Sequence, residues 1–197
     1  MIRITTVHGS DVATFLDDIA GLRLRVFREF PYLYDGNVEY EKNYLQTYLD
    51  CPDSIAVLAW EDEFLIGVST GLPLSAEVDE FQRPFLDAGM STGEVFYCAE
   101  SVLLPEYRGQ GIYREFFAHR EAQAKRLGAK HCVFCAVVRP DNHPARPEGY
   151  TSLNAVWERF GYQRAPELMT RFAWTDIGDE YDTEKPMQFF RKCLDPG

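Results

Sequence analysis

Residues 100–113 read ESVLLPEYRGQGIY, and this stretch carries the most specific structural signal in the chain. β-type apolar residues lead into a turn with two glycines, and an amphipathic segment follows. Gly109 and Gly111 allow backbone conformations that a Cβ would forbid, and they let an anion come close to the chain. Free N–H groups and the dipole at the start of a helix bind phosphate without a metal. The stretch therefore predicts a phosphate-binding junction of strand, turn and helix.

The segment after the turn predicts a helix with one apolar face. At about 100° per residue, one arc contains Ile112, Tyr113, Phe116, Phe117, Ala124 and Leu127. Gly128 stands where a C-terminal cap belongs. Glu121 and Lys125 are expected to form an i,i+4 pair on the solvent side. Arg120 falls within the apolar arc, and we expect its stem to cross the core while its charged end reaches water.

The motif in the turn distinguishes between classes of phosphate ligand. The chain has no GxxxxGK[ST], so the lysine that reaches nucleotide phosphates is missing. It also has no GxGxxG, the fingerprint of dinucleotide folds. Arg108-x-x-Gly111-x-Tyr113 instead resembles the acetyl-CoA pyrophosphate loop, [QR]-x-x-G-x-[GA], of the GNAT superfamily of acyl-CoA-dependent N-acyltransferases. On this motif alone, an ordinary strand-to-helix turn with two glycines is the alternative.

The flanking sequence favours the resemblance. Residues 156–162 read VWERFGY, which is similar to the LYEKLGF helix end of the family, and a strand is predicted at 131–138. A proline-rich loop at 139–150 makes the spacing longer than in compact members. The resemblance covers nearly the whole chain. It implies an α+β, GNAT-like fold: a mixed, mostly antiparallel central sheet, splayed at the cofactor cleft and flanked by helices on both faces.

The rest of the chain predicts a single domain over residues 1–197. Further strands are predicted at 3–7, 54–60, 64–72, 95–104, 164–176 and 187–194, and further helices at 38–48 and 78–88. Ser10 or Asp11 is expected to cap a first helix whose apolar period runs to Pro31. The late strands at 164–176 and 187–194 are expected to pair antiparallel, and this pair could join two copies in a homodimer.

Composition excludes several classes of protein. The 197 residues are 46% hydrophobic and 26% charged, which is typical of a folded domain rather than a disordered chain. The net charge of −11 argues against nucleic acid or an anionic membrane as a partner. No apolar run is long enough to span a bilayer, and we expect a cytoplasmic protein. Cys132 and Cys135 lie in a β-type run, where residues three apart face opposite sides, so structural thiols are expected rather than a metal site.

The resemblance implies that acetyl-CoA is the acyl donor and that no metal takes part. The pantetheine arm would lie along the strand before the loop, at Ser101, Val102 and Leu103. The pyrophosphate would lie on the motif that begins at Arg108, against N–H groups of Gly109, Gln110, Gly111, Ile112 and Tyr113, with Arg114 adding charge. Tyr113 replaces the family's usual glycine or alanine. Its ring must therefore turn away from the phosphate or stack beside the cofactor.

The reaction that the resemblance implies is attack of a neutral amine on a thioester carbonyl. Glu100 stands where family members often place their base, and Glu94 is the reserve candidate; a salt-bridged strand carboxylate is the alternative for Glu100. Trp157 occupies the place of the family's tyrosine acid, and an indole N–H cannot act as an acid. Tyr150 is then a candidate proton donor, or an aromatic that only packs the loop. Asn142 could supply an amide to the cofactor.

The acceptor pocket of the family lies between the first two helices and their connection. That region is rich in tyrosines and acids, namely Tyr32, Tyr34, Tyr40, Tyr44, Asp35, Glu39 and Glu41. Aromatic faces and carboxylates suit an ammonium group, although such a stripe also suits a half-buried core. We predict an N-acetyltransferase acting by direct attack in a ternary complex, on a small-molecule amine or a protein N-terminus. The alternatives are a non-catalytic acyl-CoA-binding module or sensor and an unrelated nucleotide-binding protein.

Overall fold

The computed structural model describes residues 1–194, and its centre is an eight-stranded sheet with strand order β1-β2-β3-β4-β6-β8-β7. The strands are β1 (Ile2–Val7), β2 (Ile55–Glu61), β3 (Phe64–Pro73), β4 (Val95–Tyr97), β5 (Ser101–Leu103), β6 (His131–Val137), β7 (Gln163–Trp174) and β8 (Thr183–Cys193). The α-helices are α1 (Leu16–Phe27), α2 (Val38–Asp50), α3 (Asp79–Asp87), α4 (Ile112–Arg126) and α5 (Asn154–Arg159). Only β4 and β6 pair in parallel within this part of the chain. The predicted α+β class with a mixed, mostly antiparallel sheet is confirmed.

The hairpin of β2 and β3 forms the interior of the sheet. β2 is a continuous apolar run that is buried from Ile55 to Trp60. It pairs with β1 on one edge and β3 on the other. α1 packs against β3 and β5, and α4 packs against β2, β3 and β6. Both strands of the hairpin and both helices were predicted, and all are confirmed.

The predicted strand 95–104 is wrong as a continuous element. β4 pairs with β3 and β6, whereas β5 pairs with β3 alone, and residues 98–100 lie between them. The Glu100 carbonyl accepts hydrogen bonds from Thr70 N–H (3.1 Å), Ser69 Oγ (3.0 Å) and Arg120 Nη1 (3.1 Å). These bonds hold the segment on β3, so the sheet opens between β5 and β6. The opening is the splay that the resemblance implies.

Three local predictions need correction. A 3₁₀ segment, Gly9–Phe15, precedes α1, and neither Ser10 nor Asp11 caps a helix with its side chain. α1 ends at Phe27, so it does not continue to Pro31. Glu121 does not pair with Lys125 but accepts from Lys192 Nζ at 2.8 Å, because β8 brings that lysine next to α4.

The late strands pair antiparallel as predicted, although β8 begins at Thr183 rather than at residue 187. All five cysteines are free thiols, with Cys132 and Cys135 buried in β6. Within residues 1–194, no three His, Cys, Asp or Glu side chains are grouped so that they could hold a metal ion. None of the helices just described is long and apolar enough to cross a membrane.

Candidate active site

A cavity of about 680 Å³ lies where the sheet opens, and we call it the donor cavity. Its walls come from the interrupted strand, from β6 and the loop after it, and from α4 and α5. Its lining includes Ala99, Glu100, Ser101, Tyr113, Phe117, Arg120, Tyr150, Asn154 and Trp157. The cavity exists because β5 leaves the C-terminal half of β6 unpaired on that side.

The strand edge that faces this opening presents main-chain groups. Glu100 and Leu104 bond to β3 through the Glu100 carbonyl and the Leu104 N–H. Because backbone groups alternate in direction along an antiparallel strand, Ala99, Ser101 and Leu103 point theirs toward the opening. Val102 faces β3 and is fully buried. Ser101, which lines the donor cavity, and the Leu103 N–H face the opening, while the main-chain groups of Val102 face β3.

The turn before α4 presents free N–H groups. Gly109 and Gly111 have φ values of +78° and +86°, the left-handed region that favours glycine. No acceptor within residues 1–194 bonds to the N–H groups of residues 109–113, while the Arg114 N–H bonds to the Gly111 carbonyl (3.0 Å). A Cβ at either glycine would meet no atom within 4 Å. Five free donors at the start of a 15-residue helix fit a diphosphate.

Two arginines, Arg108 and Arg114, flank this turn, and they differ in whether their charge is already paired. Arg108 pairs with Glu29 at 2.9 Å and donates to the Leu103 carbonyl at 3.3 Å. It therefore ties the turn to the end of α1 and to β5. Arg114 is exposed on the first turn of α4 and forms no ion pair with any residue that the structure describes. Of the two, only Arg114 leaves its charge open to a phosphate.

Tyr113 lines the donor cavity beside α5. Its ring packs edge-on against Phe117, with ring centroids 5.3 Å apart. Its hydroxyl accepts a hydrogen bond from Trp157 Nε1 at 3.4 Å. The ring thus lies beside the space predicted for the cofactor. Trp157 uses its indole to hold this tyrosine.

Arg120 is buried, with 1% of its surface exposed, so the prediction that its end reaches water is wrong. Nη1 donates to the Glu100 carbonyl at 3.1 Å and to the Thr70 carbonyl at 3.4 Å. The guanidinium carbon lies 5.0 Å from the Phe117 ring centre. The break in the strand leaves carbonyls that need donors, and Arg120 supplies them.

Glu100 is buried and is held at both its main chain and its side chain. Oε1 lies 2.6 Å from Arg23 Nη1, and Oε2 accepts from the Tyr44 hydroxyl at 3.4 Å. Arg23 also donates through Nε to Glu41. Burial lowers the pKa of Arg23, but the Glu100, Tyr44 and Glu41 groups outweigh it and raise that pKa well above its ordinary value. Arg23 therefore stays charged and fixes Glu100 in place.

A second cavity of about 90 Å³ lies on the α1–α2 side of Glu100, and we call it the acceptor-side cavity. Arg23, Glu41, Tyr34, Tyr40, Tyr44 and Trp174 are among the residues that line it. Ala99 and Glu100 line both cavities. Glu100 therefore stands at the boundary between them.

The other candidate residues are divided between this region and the surface. Glu94 pairs with Lys130 at 2.6 Å before β4 and lines neither cavity. Tyr150 lines the donor cavity and packs edge-on against Phe30 at 4.7 Å, and burial raises its pKa. Asn142 is exposed and does not line the cavity. Asn154, at the start of α5, does line it.

Of the tyrosines and acids predicted for the acceptor pocket, all four tyrosines line the acceptor-side cavity, but only one of the three acids does. Tyr34, Tyr40 and Tyr44 all line the acceptor-side cavity, and Tyr32 lines both cavities. Asp35 pairs instead with Arg28 at 2.6 Å, and Glu39 is exposed. Glu41 is the one acid of the three that lines it. Sequence reasoning missed Arg23, although an arginine among the apolar positions of α1 was a usable signal.

Solved structures with this fold extend over nearly the whole chain. The Salmonella typhimurium protein yncA, solved with its cofactor acetyl-CoA, aligns with a TM-score of 0.59 at 10% identity, covering 100% of this chain and 95% of that one. A ribosomal-protein-alanine N-acetyltransferase from Brucella melitensis gives 0.60 at 12% identity, covering 96% and 99%. An aminoglycoside 6'-acetyltransferase type Ii gives 0.59 at 15% identity, covering 99% of both. At these identities the likeness establishes the fold.

A comparison with family models identifies the family of the chain. No curated protein matches the chain. The model of the Acetyltransferase (GNAT) family matches residues 22–162, which include the turn before α4, Glu100 and α5. The chain therefore belongs to the GNAT acetyltransferase family and is an acyl-CoA-dependent N-acetyltransferase whose acyl donor is acetyl-CoA.

Proposed function

We propose that the protein transfers an acetyl group from acetyl-CoA to a primary amine by direct attack in a ternary complex, with Glu100 as the base. The proposal depends on the position of Glu100, which lines both cavities. A donor on one side and an acceptor on the other would meet at this carboxylate. The two substrates can then be bound together, which removes much of the entropic cost of the reaction.

The residues on the donor side would bind acetyl-CoA and orient its thioester. The N–H groups of residues 109–113 would hold the diphosphate at the start of α4, with Arg114 adding charge. The backbone groups of Ser101 and the N–H of Leu103, whose carbonyl accepts from Arg108, would hold the pantetheine arm along the edge of β5. Asn154 faces the same cavity and takes the amide role first assigned to Asn142. The bound thioester supplies a carbonyl open to attack and a thiolate that can leave.

The acceptor side removes a proton. Alkylamines have a pKa of about 10.4, so at neutral pH they arrive mainly as ammonium ions and must lose a proton before attack. The Glu100 carboxylate, fixed by Arg23 and Tyr44, would accept that proton directly or through one water. Positioned base catalysis contributes roughly 10²- to 10⁴-fold.

Tyr150 is our proposed proton donor to the leaving thiolate, and the second proton, which the nitrogen loses as the amide forms, would restore the phenol. It lines the donor cavity, and burial raises its pKa, so its phenol keeps its proton at neutral pH. Trp157 cannot take this role, because its indole N–H is bonded to Tyr113 and is not acidic. The acceptor is a small-molecule amine or a protein N-terminus, reached from the α1–α2 side.

The test replaces Glu100 with glutamine. We expect Glu100→Gln to lower kcat by roughly 10²- to 10⁴-fold while acetyl-CoA still raises the melting temperature, because the amide keeps the shape but accepts no proton. Glu94→Gln is the matched control and should leave kcat within twofold, since Glu94 lines neither cavity. Full turnover by a folded Glu100→Gln variant, measured as CoA release across a panel of amines, contradicts the proposal.

A further inference from the structure

The acceptor-side cavity carries an uncompensated negative charge. Within residues 1–194, its charged lining residues are Arg23, Glu41 and Glu100, each less than 10% exposed. Two carboxylates thus share one guanidinium. The nearby cations Arg139 and Lys185 bond to Asp176 and to main-chain carbonyls, and neither lines the cavity. Because a buried net charge is costly, the cavity favours a ligand that brings one positive charge.

An unpartnered carboxylate oxygen lines the same cavity. Glu41 is 0% exposed, and Arg23 binds its Oε2, while no donor in the part of the chain that the structure describes meets Oε1 in hydrogen-bond geometry. The Tyr34 hydroxyl is buried beside this carboxylate, and burial together with Glu41 raises the pKa of Tyr34. Buried polar atoms without partners are rare in folded proteins. An ammonium group, with three donors, supplies what Glu41 Oε1 lacks.

Aromatic faces surround these atoms. The rings of Tyr34 and Tyr40 lie 6.2 Å apart, and no protein cation in residues 1–194 lies over either ring. Tyr34 lies against Gly36, where a Cβ would come within 2.1 Å of its ring. Tyr40 is 41% exposed and marks the way out to solvent. Free aromatic faces beside a carboxylate are a favourable setting for a cation.

The volume of the acceptor-side cavity limits the size of the group that it can hold. One water needs roughly 10–15 Å³ of space, so about 90 Å³ holds on the order of six waters. The terminal atoms of an alkylammonium chain have that size.

We infer, on the basis of the proposed function, that the acceptor is an aliphatic amine whose ammonium end enters the acceptor-side cavity and is recognised by Glu41 and the rings of Tyr34 and Tyr40. The chain that carries it leaves past Tyr40. A free alkylamine and a lysine side chain share this chemistry.

The first test compares a cation with its neutral counterpart. Isothermal titration of the protein with n-butylammonium chloride and with 1-butanol, each in the presence of CoA, isolates the contribution of charge. We expect butylammonium to bind at least tenfold more tightly than butanol. Equal binding of the two overturns the inference, whatever the enzyme acetylates.

The second test uses variants. Glu41→Gln should raise KM for butylamine at least tenfold and leave KM for acetyl-CoA unchanged. Since Glu41 also holds Arg23, Tyr40→Ala provides a variant with little effect on folding. It should raise the same KM roughly two- to fivefold. Tyr181→Ala is its control, because Tyr181 is 75% exposed and lines neither cavity. Identical kinetics of Tyr40→Ala and Tyr181→Ala contradict the inference.

A panel of acceptors separates this inference from the function on which it rests. If an aminoglycoside or an alanine-terminated peptide is acetylated efficiently and butylamine is not, the inference fails and the proposed function stands. If nothing is acetylated, the proposed function fails, and the butylammonium titration still decides the inference. An N-blocked lysine peptide in the panel identifies the source: either it or butylamine as the better substrate supports the inference.

Discussion

At the scale of single residues, Arg120 connects the core to the active site. It is a buried cation that donates to two main-chain carbonyls, those of Glu100 and Thr70. The Glu100 carbonyl also accepts from Thr70 and Ser69, so three donors fix the point at which the strand leaves β6. The main-chain position of Glu100 therefore depends on an arginine that lines the donor cavity from α4.

We expect Arg120→Lys to destabilise the protein by about 1–3 kcal/mol, because the shorter lysine does not place its nitrogen where Arg120 Nη1 meets both carbonyls and those buried carbonyls lose a partner. KM for acetyl-CoA should rise as the strand break loosens. Urea denaturation and steady-state kinetics measure the two effects. Arg126→Lys, at the exposed end of α4, is the control and should change stability by less than about 0.5 kcal/mol. Equal effects of the two substitutions contradict this role.

The buried carboxyl of Glu77 makes the stability of the fold depend on pH. Burial raises its pKa to about 7. A carboxyl whose pKa is higher in the folded state stabilises below its unfolded pKa of about 4.3, and that contribution is lost as pH rises through 7. Glu77→Gln should thus be more stable than the parent at pH 8, by on the order of 2–3 kcal/mol, and no more stable at pH 4. A stability difference that does not change with pH contradicts this assignment.

At the scale of elements, the sequence predicted what depends on local pattern. The 3.6-residue period of α4, the β2–β3 hairpin and the late strand pair are all confirmed. The strand break at 98–100 was not predicted, because an apolar run has the same pattern whether or not its partner strand stays paired. The break depends on Thr70 and Arg120, which are distant in sequence.

In the candidate site, too, features that depend on local sequence were predicted and features that depend on tertiary contacts were not. The glycine turn is a local signal, and the structure gives it free N–H groups and left-handed glycines. Arg23 and Glu41 meet only when α1 and α2 pack together. Glu121 finds Lys192 rather than Lys125 because β8 lies beside α4. Partners of this kind come from tertiary structure, and one sequence does not reveal them.

The turn before α4 makes a prediction of its own. Gly111→Ala should cost about 1 kcal/mol of stability, because alanine disfavours a φ of +86°. It should also weaken acetyl-CoA binding at least tenfold by turning the N–H groups of the turn. Gly89→Ala is the matched control, with a φ of +72° and the same open space around its Cβ. It should lose similar stability and keep its acetyl-CoA affinity in a calorimetric titration; equal loss of affinity in both variants argues against a diphosphate at the turn.

At the scale of the whole molecule, the sheet divides the chemistry. The donor cavity opens between β5 and β6, and the acceptor-side cavity lies under α1 and α2. The interrupted strand forms the wall between them, and Glu100 is the residue that lines both with a titratable side chain suited to accept a proton. Membership of the acetyltransferase family gives the donor, and under the proposed function this division would give each substrate its own approach.

The most direct test is a crystal structure of the protein with acetyl-CoA bound. We expect the diphosphate to accept hydrogen bonds from the N–H groups of residues 109–113. We also expect the pantetheine arm to follow β5 and the thioester carbonyl to lie next to Glu100. A cofactor bound outside the opening between β5 and β6, or a thioester remote from Glu100, would contradict the proposed function.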